Sequence, residues 1–306
     1  MATILITGGT GLIGKVLGQA LIEKGYSVII LSRQQGKISP VTNLSYATWD
    51  VEKQTINNAA ISAADYIIHL AGAGVADKRL TTKRKQEIVD SRVNSSQLIV
   101  DSLTRIPNKI KAVVSASAIG WYGADPVIPN PKPFEEGNSA DEAFLGDTCK
   151  KWEDSIEPVA QSGKRLVKLR IGIVLSKDGG ALAEFKKPLS FGVAAILGSG
   201  KQIISWIHID DLVRMFIAAI ENTTMHGVYN AVAPVPVSNK ELTIQLAKSR
   251  NKFFIPFHVP VFLLKIMLGE LSIEVLKSAT VRSNKIELTG FSFKFPTVTA
   301  ALSNLK

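Results

Sequence analysis

The stretch Thr3-Ile-Leu-Ile-Thr-Gly-Gly-Thr-Gly-Leu-Ile-Gly14 constrains this chain more than any other. Ile4, Leu5 and Ile6 form a continuous apolar run, as a strand buried on both faces requires. Gly8, Gly11 and Gly14 follow at G-x-x-G-x-x-G spacing. Ile13, Leu17, Ala20 and Leu21 then recur at helical period until Gly25 ends the pattern. Strand, glycine turn and helix in that order predict a site for the pyrophosphate of a dinucleotide. The first glycine allows a sharp turn, the second lets backbone approach the phosphates, and the third lets helix pack close to strand. The free N–H groups and positive end of the helix then face the anion. On this reading Gly8, Thr10, Gly11, Leu12, Ile13 and Gly14 meet the cofactor. The alternative is a purely structural tight turn.

The strands that follow extend the pattern. Tyr26 to Leu31 is a second strand, and it ends in Ser32-Arg33, where a site selective for NAD places a carboxylate on the ribose hydroxyls. Ser32 can donate a hydrogen bond and Arg33 can pair with a phosphate through its planar fork, with Lys37 just beyond. This points to NADP(H); the alternative is an ordinary surface arginine. Leu44 to Trp49 is a third strand ending in Asp50, which either accepts from the adenine amino group or caps the next turn. Asp65 to Gly74 is a fourth, running past Leu70 into the small residues Ala71, Gly72, Ala73 and Gly74, which let a flat cofactor lie on the backbone at this end. His69 reads as a packed core histidine.

Thr82 to Leu103 predicts a long helix with Val89, Val93, Val100 and Leu103 as its buried stripe. Ile110 to Val114 is a fifth strand, leading to Ser115-Ala-Ser-Ala-Ile-Gly-Trp-Tyr-Gly123, whose hydroxyls lie where a substrate oxygen would meet the nicotinamide. The proline-rich segment 124–139 reads as a loop at the site's rim, 140–161 as mainly helix and Arg165 to Val174 as a sixth strand. Asp210 is the expected N-cap of a helix through Ile220, Val228 to Ala231 a short strand, and Ser238 with Glu241 a capping box. The fold class is therefore α/β: a doubly wound parallel sheet with helices on both faces. The expected division is a cofactor-binding domain over 1–175, its sheet completed by segments near 203–232. A smaller, substrate-covering domain follows over 176–306.

Composition narrows the functional classes. A single cysteine, Cys149, excludes an internal disulfide and fits a reducing compartment, and strand structure from residue 3 leaves no room for a leader, so a cytoplasmic protein is expected. Pro256, His258, Pro260 and Lys265 interrupt the most apolar later stretch, which argues against a membrane span. The net charge of +10 favours anionic small molecules. The lysines are scattered, though, and no nucleic-acid role is expected. His69, His208, His226 and His258 have no metal-ligand spacing. The oligomeric state is not legible.

Taken together the chain resembles an atypical extended short-chain dehydrogenase/reductase, within the epimerase-like group labelled as cell-division-inhibitor homologues. The resemblance is carried by Gly8-Gly-Thr-Gly-Leu-Ile-Gly14, Leu70-Ala-Gly-Ala73, Ser91-Arg92, Ser115 to Gly123 and Trp152-Glu153. Ser205-Trp-Ile-His-Ile-Asp-Asp-Leu212, Tyr229 to Pro234 and Gly290-Phe-Ser-Phe carry it through the C-terminal part. It implies NADP(H) along a Rossmann domain, Ser32 and Arg33 at the 2′-phosphate, Leu70 and Ala71 beside the nucleotide, and Glu87 and Arg92 within its reach. Arg92 departs from the asparagine of related epimerases. The wider family pairs a Ser or Thr with Tyr-x-x-x-Lys. Ser117 matches the serine, but anchoring on Glu153 puts Leu145 and Cys149 in the dyad positions, and no neighbouring register supplies both residues. The expectation is an NADP(H)-dependent oxidoreductase or epimerase acting on a nucleotide sugar or small carbonyl compound. Its proton donor would be altered, with Ser117 and Tyr122 as catalytic candidates and His208 as a further one. The competing expectation is a non-catalytic regulator or scaffold that binds NADPH.

Overall fold

A computed structural model describes residues 1–251 and 253–306. In chain order the first half contains β1 (Thr3–Thr7), α1 (Leu12–Glu23), β2 (Ser27–Ser32), β3 (Leu44–Asp50), β4 (Thr55–Ile56), α2 (Asn58–Ala63), β5 (Tyr66–His69), α3 (Thr82–Arg105) and β6 (Ala112–Ala118). Next come α4 (Phe144–Ile156), α5 (Pro158–Gln161), β7 (Arg165–Ile171), β8 (Ile173–Leu175), α6 (Ala181–Leu189), β9 (Val193–Leu197), β10 (Ile203–Ile204), β11 (Trp206–His208) and α7 (Ile209–Glu221). The rest is β12 (Gly227–Ala231), β13 (Val237–Ser238), α8 (Asn239–Ser249), β14 (Ile255–Val259), α9 (Val261–Leu268), α10 (Leu271–Leu276), α11 (Asn284–Glu287) and α12 (Val298–Asn304).

Eight strands form one sheet in the order β12-β7-β6-β5-β1-β2-β3-β4, parallel throughout except for the short β4. This is a Rossmann-like fold. Alternation along each strand sorts the core into two layers. Ile4, Ile6, Val28, Ile30, Ile68 and Val114 pack with Leu17 and Leu21 of α1 and Leu212 and Phe216 of α7. Leu5, Leu31, Ile67 and Val113 pack with Ile61 of α2, Leu98 and Ile99 of α3 and Val159 of α5. Both faces are covered, which is why the strands read as unbroken apolar runs rather than alternating ones. The chain winds outward in both directions from β1, to β2 on one side and β5 on the other. The crevice at a dinucleotide site opens at such a reversal, beyond the C-terminal strand ends.

Three elements differ from the sequence expectation. The sixth strand splits at Gly172, where a Cβ would lie 2.6 Å from Ser205 O, so β7 stays in the main sheet and β8 leaves it to pair with β11. The N-cap of α7 is His208, whose Nδ1 accepts from Asp210 N (3.0 Å), not Asp210. On α3 the inward residues are Ile88, Ser95, Ser96, Leu98, Ile99, Ser102 and Leu103, while Val89, Val93 and Val100 are only half-buried. A third apolar cluster, including Leu182, Trp206, Leu246, Phe295 and Leu302, joins the C-terminal elements. There the buried Asp211 accepts from Lys294 N and Phe295 N (2.8 Å each) and so fixes the tail on α7.

Candidate functional site

The C-terminal edge of β1 is built around close backbone contacts. Gly8 has φ +68°, and a Cβ there would come to 2.8 Å from the Leu70 carbonyl carbon at the end of β5. A Cβ on Gly14 would lie 2.4 Å from Gly8 O, so this glycine lets α1 press against the turn. Gly11 N donates to Gly8 O (3.0 Å), and Gly11 is the N-cap of α1 with no side chain to cover the first-turn N–H groups. No acidic residue stands in that turn. Thr10 and Gly11 are exposed at its tip, with Leu12 against the Gly179-Gly180 turn and Ile13 packed against the core. Uncapped N–H groups and a helix dipole in a small-residue cradle suit an anionic group held against backbone.

On one side of this cradle, Ser32 Oγ accepts from Gln34 N (3.1 Å), leaving its own proton available. Arg33 is exposed and forms no ion pair among the described residues. Lys37 lies over the Tyr46 ring, 4.3 Å from its centroid. No carboxylate follows β2 before β3 begins. Asp50 takes the turn-capping alternative, because its Oδ1 accepts from Glu52 N and Lys53 N (3.0 Å each).

On the other side, the segment 70–74 is held by a set of hydrogen bonds. Thr7 Oγ1 accepts from Leu70 N (3.1 Å) and Ala71 N (3.2 Å) and lies 2.7 Å from His69 Nδ1. With both its lone pairs engaged, the hydroxyl must donate to Nδ1, which puts the imidazole proton on Nε2, towards Ser96 Oγ at 3.2 Å. Burial, followed by the charge of Arg92, pushes His69 down to about 3, so it is a neutral core residue as read. Ser91 Oγ accepts from Ala73 N (2.9 Å), and Arg92 Nη1 donates to Ala73 O (3.0 Å). Glu87 meets this segment only indirectly: it is exposed and pairs with Arg84 Nη1 (2.7 Å), and Arg84 in turn donates to Gly74 O. The sequence reading missed Thr7 and Arg84. A hydroxyl ending an otherwise apolar strand was the signal for Thr7; Arg84 resembled any lysine or arginine of a solvated helix.

The residues read as catalytic converge on a buried polar network. Ser117 Oγ donates to Glu153 Oε1 (2.7 Å), which with Oε2 is clamped by Arg170 Nε and Nη2 (2.7 and 3.1 Å). Arg170 Nη1 also donates to the Tyr122 hydroxyl (3.1 Å), which itself donates to Asn230 Oδ1 (2.7 Å). Tyr122 is fully buried and burial raises its phenol to about 12, which corrects its reading as a proton donor to substrate. Ser117 is likewise buried with its proton directed at Glu153, so only its lone pairs remain to meet a ligand. Leu145 Cβ and Cys149 Sγ face Gly120 in the turn after β6 (3.3 and 3.5 Å from a Cβ built there), whereas Lys150 and Lys151 are exposed and paired with Asp154 and Asp147. Burial raises the Cys149 thiol to about 12. His208 stacks on Phe295 (3.9 Å between centroids), and burial lowers its basicity, which suits a capping role. The loop 124–139 is clasped to the C-terminal segment: Asp125 accepts from Thr280 N (3.0 Å), Ser278 Oγ (2.7 Å) and Thr280 Oγ1 (2.8 Å).

Residues 4–143 match the model of the NAD dependent epimerase/dehydratase family, and residues 259–305 match a domain of unknown function, DUF1731. Epimerase family protein SSP1921 of Staphylococcus saprophyticus is 35% identical, over 100% of this chain and 99% of its own. Human epimerase family protein SDR39U1, solved with NADPH, superposes with a TM-score of 0.87 at 28% identity, covering 99% of this chain and 98% of that one. A nucleoside-diphosphate sugar epimerase of Corynebacterium glutamicum gives 0.77 at 28% identity, over 99% of this chain and 57% of its own. With this fold, the glycine cradle at the sheet reversal and a relative that matches from end to end, the chain belongs to the epimerase family, as an atypical extended short-chain dehydrogenase/reductase.

Proposed function

We propose that this protein binds NADP(H) across the C-terminal edge of its sheet and acts as an oxidoreductase or epimerase with an atypical proton donor. The observation that carries the reading is the uncapped N-terminus of α1, pressed by Gly8 and Gly14 against the end of β5, with Ser32 and Arg33 and no carboxylate after β2. The α1 N–H groups would hold the pyrophosphate, and Arg33 with Ser32 the 2′-phosphate. Leu70, Ala71 and Gly72 would form the floor. The human relative solved with NADPH supports the phosphorylated form. When bound, the nicotinamide supplies hydride chemistry. This chain's part is to orient it and exclude water, with Ser117 offering lone pairs fixed by Glu153. The substrate is a small molecule, and the excess of cationic side chains favours an anionic one, with the region from 176 onward covering it.

A second reading, an NADPH-binding regulator without turnover, has its own support. Tyr122 is buried, and Leu145 and Cys149 face the turn where a Tyr-x-x-x-Lys pair would stand. Calorimetry with NADPH and NADH tests the shared part: tight binding of NADPH with a clear preference over NADH is expected, and no heat with either sinks both. Following NADPH absorbance against aldehydes, ketones and nucleotide sugars separates the two. Consumption of NADPH establishes the enzyme; tight binding with no turnover in any condition favours the regulator.

A further inference from the structure

Much of the apolar surface that this protein exposes is gathered in one short stretch. Of eighteen large apolar side chains exposed among the described residues, nine fall between Phe253 and Ile273. Single exposed apolar residues are ordinary, but a contiguous set of this size marks a surface that something covers. The two elements concerned, β14 and α9, are sparsely packed against the body. In β14 the consecutive residues Ile255, Pro256, Phe257 and His258 are all exposed. Successive residues of a strand point to opposite faces, so neither face of β14 has a layer on it. In α9 only Leu264 is buried, while Phe262 (66% exposed), Ile266 (65%) and Met267 (61%) are open to solvent. The helix is fastened at its end instead, where Arg79 Nη2 donates to Ile266 O (2.6 Å) and Met267 O (3.3 Å) and Lys85 pairs with Glu270. A helix that is apolar all round belongs in apolar surroundings.

Charge and shape decide what those surroundings are. No Asp or Glu occurs between Glu241 and Glu270, a stretch that holds Lys248, Arg250, Lys252 and Lys265. Lys248 and Lys265 are exposed. Lys265 stands three residues after Phe262 on the same side of α9, so its stem can run along apolar surface while the ammonium reaches a phosphate. A second copy of this chain fits poorly, because an isologous contact would set this cationic, carboxylate-free patch against itself. A flat partner would also cover one face of β14 and leave the other bare. Strand addition is blocked as well: Ile255 N and Val259 O bond towards β9, so Pro256 stands on the free edge with no N–H to offer. A fluid layer with anionic headgroups meets both conditions. At eight residues, about 12 Å, α9 is too short to cross a hydrocarbon core of about 30 Å and would lie in the surface instead.

We infer that the β14–α9 projection docks this protein on the surface of an anionic phospholipid bilayer. Ile255, Phe257, Phe262, Ile266 and Met267 enter the boundary between headgroups and acyl chains, and Lys248, Arg250 and Lys265 meet the lipid phosphates. The inference does not rest on the cofactor reading above, and either can fall without the other.

The test is co-sedimentation of the full chain with sucrose-loaded vesicles, made of phosphatidylcholine alone or mixed in about equal parts with phosphatidylglycerol. The mixed vesicles should bind wild type about tenfold or more tightly than phosphatidylcholine alone, and added salt should weaken that binding. Phe262→Glu/Ile266→Glu should weaken it about tenfold or more, and Lys265→Gln about fivefold. All three side chains are exposed, so both variants should keep the wild-type Tm. If the double variant melts early, Lys265→Gln and the salt series carry the test alone. Wild type that binds neither vesicle, or both equally, overturns the inference, as does a folded double variant that binds the mixed vesicles like wild type. So does a dimer in sedimentation velocity that the double variant converts to monomer, which would give the patch to a second copy.

Discussion

Arg33 and Gly11 allow the cofactor reading to be tested one side chain at a time. Arg33 is exposed and forms no ion pair among the described residues, so Arg33→Ala should leave stability unchanged. NADPH should weaken about tenfold or more by calorimetry and NADH by less than about twofold, since only one carries the 2′-phosphate. Equal losses would remove the phosphate assignment. Gly11 and Gly14 separate binding from folding. Gly11 has φ −77°, and a Cβ there meets only Gly8 O at 3.3 Å, so Gly11→Val should fold while its side chain occupies the phosphate cradle. Gly14→Ala would force a carbon to 2.4 Å from Gly8 O and should cost about 1–3 kcal/mol of stability, read as a lower Tm. A Gly11→Val variant that binds NADPH normally would count against the cradle.

At the level of elements, α3 and α4 show how polar residues shape a buried face. The valines of α3 suggested its inward stripe, yet the helix is turned so that Ser95, Ser96 and Ser102 face the core instead. Ser95 and Ser102 are compatible with burial because their hydroxyls bond to the carbonyls of Ser91 (2.7 Å) and Leu98 (2.5 Å) one turn back. Ser96 and Ser95 also meet the Nε2 edge of the buried His69. A stripe drawn from apolar residues alone cannot include them. Against α4, the network through Glu153, Arg170, Tyr122 and Asn230 ties β6, β7 and β12 together. Tyr122→Phe should destabilise the protein by about 1–3 kcal/mol in urea denaturation, because Asn230 Oδ1 loses its donor, while NADPH affinity stays unchanged. Unaltered stability with lost turnover would restore Tyr122 as a proton donor. The positions were readable as a motif after the fifth strand, but their burial depended on strands far away in sequence.

For the whole molecule, burial of His69 links stability to pH. Its folded pKa of about 3 lies below the ordinary histidine value, so the unfolded chain takes up the proton first as pH falls. The contribution is fully present above the unfolded pKa and is lost progressively below it. Stability should drop by about 2 kcal/mol between pH 7 and pH 5 from this residue alone, and His69→Gln should remove that part of the slope in urea titrations at the two pH values. His208, also lowered by burial, acts in the same direction. A slope identical in the variant would mean that His69 opens to solvent.

Local chemistry by itself determined the opening strand-turn-helix, the parallel sheet covered on both faces and the basic edge after β2. Each depends on period, glycine spacing or a missing carboxylate within a few residues. Tertiary structure alone decided that Gly172 divides the sixth strand, that His208 rather than Asp210 caps α7, and that Tyr122 is enclosed. It also decided that Arg92 lies against Gly72 and donates to the carbonyls of Ala73 and Ile88. These outcomes depend on which carbonyls, carboxylates and rings arrive from distant segments. Whether a polar side chain is satisfied, and what it can still offer a ligand, is fixed only when those partners have met.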